Sequence, residues 1–134
     1  MPKDGTLLNP KQQLLLEHRK KNERWFETQW KRIGGPEYEP QLEFHPNRKW
    51  AFDFGFPNCV PPIAVEMDGG GHKMYWKVYR NDVEKMNAAL FLGWQVFRIT
   101  TDMVRSDDVQ FLEMLKEYIN DNTRLLSKGD IPGK

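Results

Sequence analysis

Hydrophobic and polar positions along the chain follow two repeats, one with the period of a strand and one with that of a helix. The strand repeat is clearest in Trp50-Ala51-Phe52-Asp53-Phe54-Gly55-Phe56 and in Ile63-Ala64-Val65-Glu66-Met67-Asp68, separated by the turn-rich Pro57-Asn58-Cys59-Val60-Pro61-Pro62. Side chains alternate across a strand. Phe52, Phe54 and Phe56 are therefore expected on one face, with Ala51, Asp53 and Gly55 on the other. In the second run Ile63, Val65 and Met67 share one face, and Ala64, Glu66 and Asp68 share the opposite one. The neighbours of the acids are small, which predicts an open floor rather than packed core. Folded as a hairpin about the Pro-rich loop, the two runs set Asp53 and Glu66 at mirrored positions, with Cβ atoms roughly 4.5–5.5 Å apart.

The helical repeat frames this pair. Asn9 before Pro10 is an N-cap with a first-turn proline, and Gly34-Gly35-Pro36 is a stop, so a helix is expected over 9–33. Leu15, Trp25, Phe26 and Ile33 are expected to supply its buried stripe, while the basic segment from His18 to Arg24 leaves room for a break. Gln41 to His45 reads as a short strand, with Pro46-Asn47-Arg48 as the turn into a strand over 49–56. Gly69-Gly70-Gly71 interrupts regular structure after the second acidic strand. A helix follows over about 75–92, with Tyr79, Val83, Met86 and Leu90 on its buried face. Trp94 to Thr100 is nearly continuously apolar, as in a central strand covered on both sides. Ser106-Asp107-Asp108 should cap a last helix over 107–122 that buries Val109, Leu112, Leu115 and Ile119, and the tail 127–134 should be flexible. A helix between the third and fourth strands implies a crossover within one mixed sheet. The expected fold is α/β, with a central four-stranded mixed sheet flanked by helices.

Composition changes this picture little. A chain of 134 residues supports one domain and a real core without disulfides. Its one cysteine, Cys59, excludes an internal disulfide and a Cys-rich zinc site. No apolar run is long enough to span a bilayer and Met1-Pro2-Lys3-Asp4 has no secretory pattern, so no membrane partner and a cytoplasmic location are expected. The net charge of +1 is neutral as to nucleic acid, but residues 1–50 hold ten Lys/Arg against seven Asp/Glu.

Chemistry concentrates at the facing acids. Two opposed carboxylates repel, and proteins accommodate them by sharing a proton or holding a cation. A divalent metal site is the sharper reading. Arg48 and Lys49 precede the first acidic strand and suit a nucleic-acid backbone. His72 and Lys73, in the loop after the glycines, suit phosphate contact or proton transfer. His18 and His45 read as structural, and Trp76 is placed for base stacking.

The Asp53 strand, the Glu66-Met67-Asp68 strand end, Asn81-Asp82-Val83-Glu84-Lys85-Met86-Asn87-Ala88-Ala89, and Gly93-Trp94-Gln95-Val96-Phe97-Arg98-Ile99-Thr100 together resemble the PD-(D/E)XK endonuclease superfamily. Phe44-His45-Pro46-Asn47-Arg48-Lys49-Trp50 leading into Phe52-Asp53-Phe54 resembles its small phage and bacterial branch, related to very-short-patch-repair nucleases. The resemblance covers about residues 41–104. It implies a restriction-endonuclease-like αβββαβ core and metal-dependent hydrolysis of DNA, with a bacterial or phage-infected cell as the setting. Asp53 and Glu66 would carry over as the metal-binding pair, with the Met67 carbonyl as a further ligand. The cofactor would be Mg²⁺, with Mn²⁺ substituting, acidifying a bound water and neutralising charge at the phosphate. The lysine that usually stands two positions after the second acid is replaced here by Asp68, so that either Asp68 joins the metal site, allowing a second ion, or a lysine arrives from elsewhere. Lys85 is the candidate for that catalytic lysine, with Asp82 supporting it. The same resemblance admits a branched-DNA (Holliday-junction) resolvase, a catalytically inactive DNA- or protein-binding member, and a homodimer or a partner protein.

Overall fold

The computed structural model of the protein describes residues 9–68, 76–105 and 109–123. The expected Gly69–Gly71 break, His72, Lys73, the Ser106–Asp108 cap and the tail 127–134 lie outside them. The order is α1 (Pro10–Arg32), β1 (Glu39–Glu43), β2 (Ala51–Phe56), β3 (Ile63–Asp68), α2 (Trp76–Phe91), β4 (Gln95–Thr100), α3 (Thr101–Arg105) and α4 (Gln110–Asn122). One four-stranded sheet runs β1-β2-β3-β4, antiparallel at its first two pairings and parallel between β3 and β4. The α2 crossover produces that parallel pair, and the protein is α/β with a mixed sheet flanked by helices.

Local chemistry accounts for most boundaries. The Asn9 side chain accepts from the Gln12 N–H at 2.8 Å while the Gln12 side chain accepts from the Asn9 N–H at 3.0 Å, a reciprocal cap with Pro10 in the first turn. The helix then continues unbroken through the basic segment to Arg32. Its buried residues are Phe26, Gln29 and Trp30, with Ile33 packed beside them, whereas Trp25 is 37% exposed. Phe26 stacks on Trp30 and on Phe54 with ring centroids 5.2 and 4.3 Å apart, and this aromatic column fixes α1 to the sheet. The sheet face beneath α1, α3 and α4 carries Phe54, Phe56, Ile63, Val65 and Ile99, closed by Leu112, Leu115 and Ile119 of α4.

Three expectations about faces are corrected. Phe52 does not share a face with Phe54 and Phe56: it packs with Ala64 and Ala89, against Phe44 and Trp94, on the α2 side. The cause is a break in strand alternation at Asp53. Residue 41 lies opposite residue 53 in the β1–β2 register, and Gln41 has φ of 49°, a left-handed backbone that kinks the pair out of regular pleat. The small-residue floor is also not open. Ala64 is wholly buried under α2, and a Cβ on Gly55 would run into the Leu42 side chain.

The third correction concerns α2 itself. Tyr79, Val83 and Leu90 are 49%, 37% and 66% exposed, and Ala89 is the buried residue of the helix. The row turned toward the sheet is Asp82, Lys85 and Ala89, spaced three and four apart, so α2 docks through a small side chain and two charged ones. At the boundaries, β1 lies two residues earlier than expected and β2 begins at Ala51. The short α3, directly after β4, was not anticipated by the pattern.

Candidate active site

The β2–β3 ladder pairs Phe56 with Ile63, Gly55 with Ala64 and Phe54 with Val65, then stops. The same register carried one step further sets Asp53 opposite Glu66. There the side chains replace the ladder. The Asp53 N–H donates to Glu66 Oε2 at 2.8 Å, and the Met67 N–H donates to Asp53 Oδ2 at 2.8 Å. Each carboxylate thus crosses the gap between the strands and binds the other strand's backbone, so both are held without rotamer freedom. Both are buried, at 9% and 8% exposure. Charge-assisted bonds of this length are strong where water is excluded.

Lys85 completes the pair from α2. Its Nζ lies 2.6 Å from Glu66 Oε1 and 5.8 Å from the centroid of the Phe52 ring. Burial, and next the charge of Asp53, push the Glu66 carboxyl above its ordinary range, against the opposing pull of Lys85. The Phe52 flip matters here, because it places an apolar wall beside the ammonium.

A third carboxyl, Glu23 of α1, approaches from the opposite side of the sheet. Burial, the charge of Asp53 and a hydrogen bond with the Asp53 side chain raise its pKa to about 7, with Arg19, 3.7 Å away, opposing the shift. Gln41 Nε2 donates to Glu23 Oε2 at 3.5 Å, so the kinked residue also serves this group. Sequence reading missed Glu23 because it sits in a basic, outwardly polar segment. The signal was its spacing: Glu23, Phe26 and Trp30 are three and four residues apart, on the face that packs on the sheet.

The raised Glu23 pKa has a measurable consequence for metal-free protein. The folded state keeps a proton that the unfolded chain releases near 4.5, so this group's contribution is full at low pH and is lost as pH rises toward about 7. Glu23→Gln, which mimics the protonated form, should match the parent near pH 4.5 and exceed it by on the order of 1–2 kcal/mol at about pH 8. Thermal unfolding in chelator at the two pH values checks this. A gap of the same size at both would remove the proton-sharing account.

The remaining sequence candidates are distributed around this centre. Asp68, two residues beyond Glu66, is 38% exposed at its side chain and meets Arg98 Nη2 at 3.5 Å. The Asp82 carboxylate receives Arg98 Nη1 at 3.1 Å, so its partner is Arg98 and not Lys85. Arg48 donates to Asn81 Oδ1 at 3.1 Å and lies over the Trp50 ring, 3.8 Å from its centroid. Lys49 is exposed. Met67 meets the site through its N–H. His45 Nδ1 accepts from the N–H groups of Asn47 and Arg48, the structural role expected of it. Trp76 is 70% exposed and tilts against Tyr79.

Among the described residues no three His, Cys, Asp or Glu side chains stand together as a ready metal cage. The donor set nonetheless suits a hard cation. Asp53 and Glu66 offer carboxylate oxygens across one gap, and such ions take one or two carboxylates with water in the other positions. Glu23 brings a third carboxyl to this neighbourhood, hydrogen-bonded to the Asp53 side chain. Comparison with protein-family models, with curated proteins and with solved structures finds no match to this chain.

Proposed function

We propose that the protein is a metal-dependent endonuclease that hydrolyses phosphodiester bonds in DNA. The observation that carries this reading is the crossed carboxylate pair, Asp53 and Glu66, buried between two strands with the Lys85 ammonium 2.6 Å from Glu66. The order and spacing of the Asp53, Glu66-Met67-Asp68 and Lys85 segments, which resemble the PD-(D/E)XK superfamily, support it further.

In this reading Asp53 and Glu66 hold a divalent cation, Mg²⁺ or Mn²⁺, with the Met67 carbonyl as the oxygen the resemblance adds. When bound, that ion supplies Lewis acidity toward the phosphate and its attacking water. The chain's own residues do the positioning. Backbone N–H groups of Asp53 and Met67 fix the two carboxylates, so little reorganisation remains when substrate arrives. Lys85 fixes the second oxygen of Glu66 and brings a positive charge to the place where the phosphate gains negative charge. Phe52 keeps water from the flank of that ammonium.

A second reading is a member of the same fold that binds DNA without cutting it. The acid at position 68 favours it, since Asp68 cannot supply the charge of a lysine. Incubating the purified protein with supercoiled plasmid and with branched DNA, with and without Mg²⁺, separates the two. Nicked or linear product that requires Mg²⁺ supports the nuclease; binding without any cleavage in Mg²⁺ or Mn²⁺ supports the second reading.

A further inference from the structure

Arg98 stands on β4 directly beside Glu66. The two are Cα partners in the parallel β3–β4 register, so their side chains rise from the same face of the sheet, beneath α2. Its guanidinium bridges two acids, with Nη1 at 3.1 Å from Asp82 and Nη2 at 3.5 Å from Asp68. The side chain is still 41% exposed. Together with Asp68, Asp82, Tyr79 and Asn87 it lines an open cleft of about 480 Å³.

These contacts are unequal. The Asp82 bond is short and its acid is the less exposed of the two, at 27% against 38%. The Asp68 contact is long and solvent-facing, the kind of ion pair that contributes little. A guanidinium carries five N–H donors in a planar fork that matches two oxygens of a phosphate. Lys85, by contrast, is held against Glu66 in a close, nearly buried contact and is not a side chain that can reach out for a ligand. An anion arriving beside Glu66 therefore meets Arg98 as a cation whose outer partner is readily exchanged.

We infer that Arg98 is a phosphate-binding residue of this cleft, gripping an oxyanion of the nucleic-acid backbone in place of Asp68 while Asp82 keeps the guanidinium aimed. The choice of a phosphodiester as ligand rests on the nuclease reading above. Exchange of one anion for another leaves the charge around Arg98 unchanged. Asp68 then acts as a placeholder that weakens non-productive binding of anions.

The test is DNA affinity, measured by fluorescence anisotropy with a labelled duplex and a labelled four-way junction, in Ca²⁺ and over a range of salt. Arg98→Gln should weaken binding about 5- to 10-fold and lower the salt slope by about one. Arg98→Lys should keep the slope and lose part of the affinity, because the charge remains and the fork is gone. Asp68→Asn should tighten binding about 3-fold or more in the parent, and this gain should vanish in the Asp68→Asn/Arg98→Gln double variant. Parent-like affinity and slope in Arg98→Gln would overturn the inference, and so would a gain from Asp68→Asn that persists without Arg98. A purely structural Arg98 would instead give lower thermal stability and weaker binding in Arg98→Gln and in Asp68→Asn alike. Cleavage by the parent that is lost in Asp53→Asn, alongside unchanged binding by Arg98→Gln, defeats the Arg98 assignment and leaves the nuclease reading standing. A parent with no DNA affinity defeats both.

Discussion

Asp53→Asn is expected to reduce Mg²⁺-dependent cleavage of supercoiled plasmid by about 10³-fold, equivalent to roughly 4 kcal/mol of transition-state stabilisation. Glu66→Gln should act alike. Asp53→Asn keeps the fold, because it preserves the group that the neighbouring strand needs, whereas Glu66→Gln keeps that bond but turns its NH₂ toward the Lys85 ammonium and so costs stability as well. The amide oxygen introduced by Asp53→Asn can still accept from the Met67 N–H, and the one introduced by Glu66→Gln can still accept from the backbone N–H of residue 53. These are the two bonds that bridge the end of the β2–β3 ladder. Removing the Asp53 charge also relieves the repulsion felt by Glu66 and Glu23. In Asp53→Asn activity should therefore collapse while the melting temperature holds or rises. Initial rates of nicking, read beside thermal unfolding of the same preparations, check the pairing of outcomes. Cleavage at the parental rate in Asp53→Asn would remove the carboxylates from the chemistry.

Lys85→Met carries the next largest effect, and it appears in stability as well as activity. Methionine keeps most of the side-chain volume but removes the ammonium that lies 2.6 Å from Glu66. Loss of one member of a buried pair leaves the other uncompensated, at a cost of roughly 2–4 kcal/mol. The pH dependence has a definite sign. Burial and Asp53 already raise the Glu66 carboxyl above the 4.5 of a free side chain, and without Lys85 it rises further. A carboxyl raised in the folded state contributes most when both states are protonated, and that contribution is lost as pH climbs through the folded value. The deficit of Lys85→Met should thus be largest at about pH 8 and shrink toward pH 5. Cleavage should fall by about 10²-fold or more, since Lys85 both orients Glu66 and carries charge to the phosphate. Lys85→Arg, which keeps the charge, should recover most of the stability. Denaturant unfolding at the two pH values measures the effect, and a deficit independent of pH would place the loss in packing and not in the ion pair.

Much of this architecture was legible because local chemistry and global fold agree. Asn9, Pro10 and Gln12 announce the start of α1, and the paired glycines at 34 and 35 announce its end. The mirrored positions of Asp53 and Glu66 about the loop at 57–62 are where the antiparallel register carries them. The apolar run 94–100 became the parallel strand that the crossover helix requires. What alternation could not reveal was its own interruption. A left-handed backbone at Gln41 is a property of two strands together, and nothing in the residues of β2 alone predicts that Phe52 changes face.

The inward face of α2 was illegible for a different reason. Apolar periodicity identifies a buried face only where burial is apolar, and this helix docks through Asp82, Lys85 and Ala89, leaving Tyr79, Val83 and Leu90 to solvent. The charges face inward because partners await them there: Glu66 for Lys85 and Arg98 for Asp82. Glu23 and Arg98 escaped notice alike, since each is a common surface residue until the fold sets it beside a carboxylate. Among the described residues every buried side-chain nitrogen and oxygen has a hydrogen-bond partner. The ionic residues around Glu66 are thus part of one satisfied network, and a change at one member should be felt by the others.

Titration of the metal-free protein with Mn²⁺, followed by the loss of the free-ion electron paramagnetic resonance signal, tests most directly whether the crossed acids hold a cation. Saturable binding by the parent that disappears in both Asp53→Asn and Glu66→Gln, and is displaced by excess Mg²⁺, is the predicted result. Undiminished Mn²⁺ binding in either variant, or none in the parent, would contradict the account at its root.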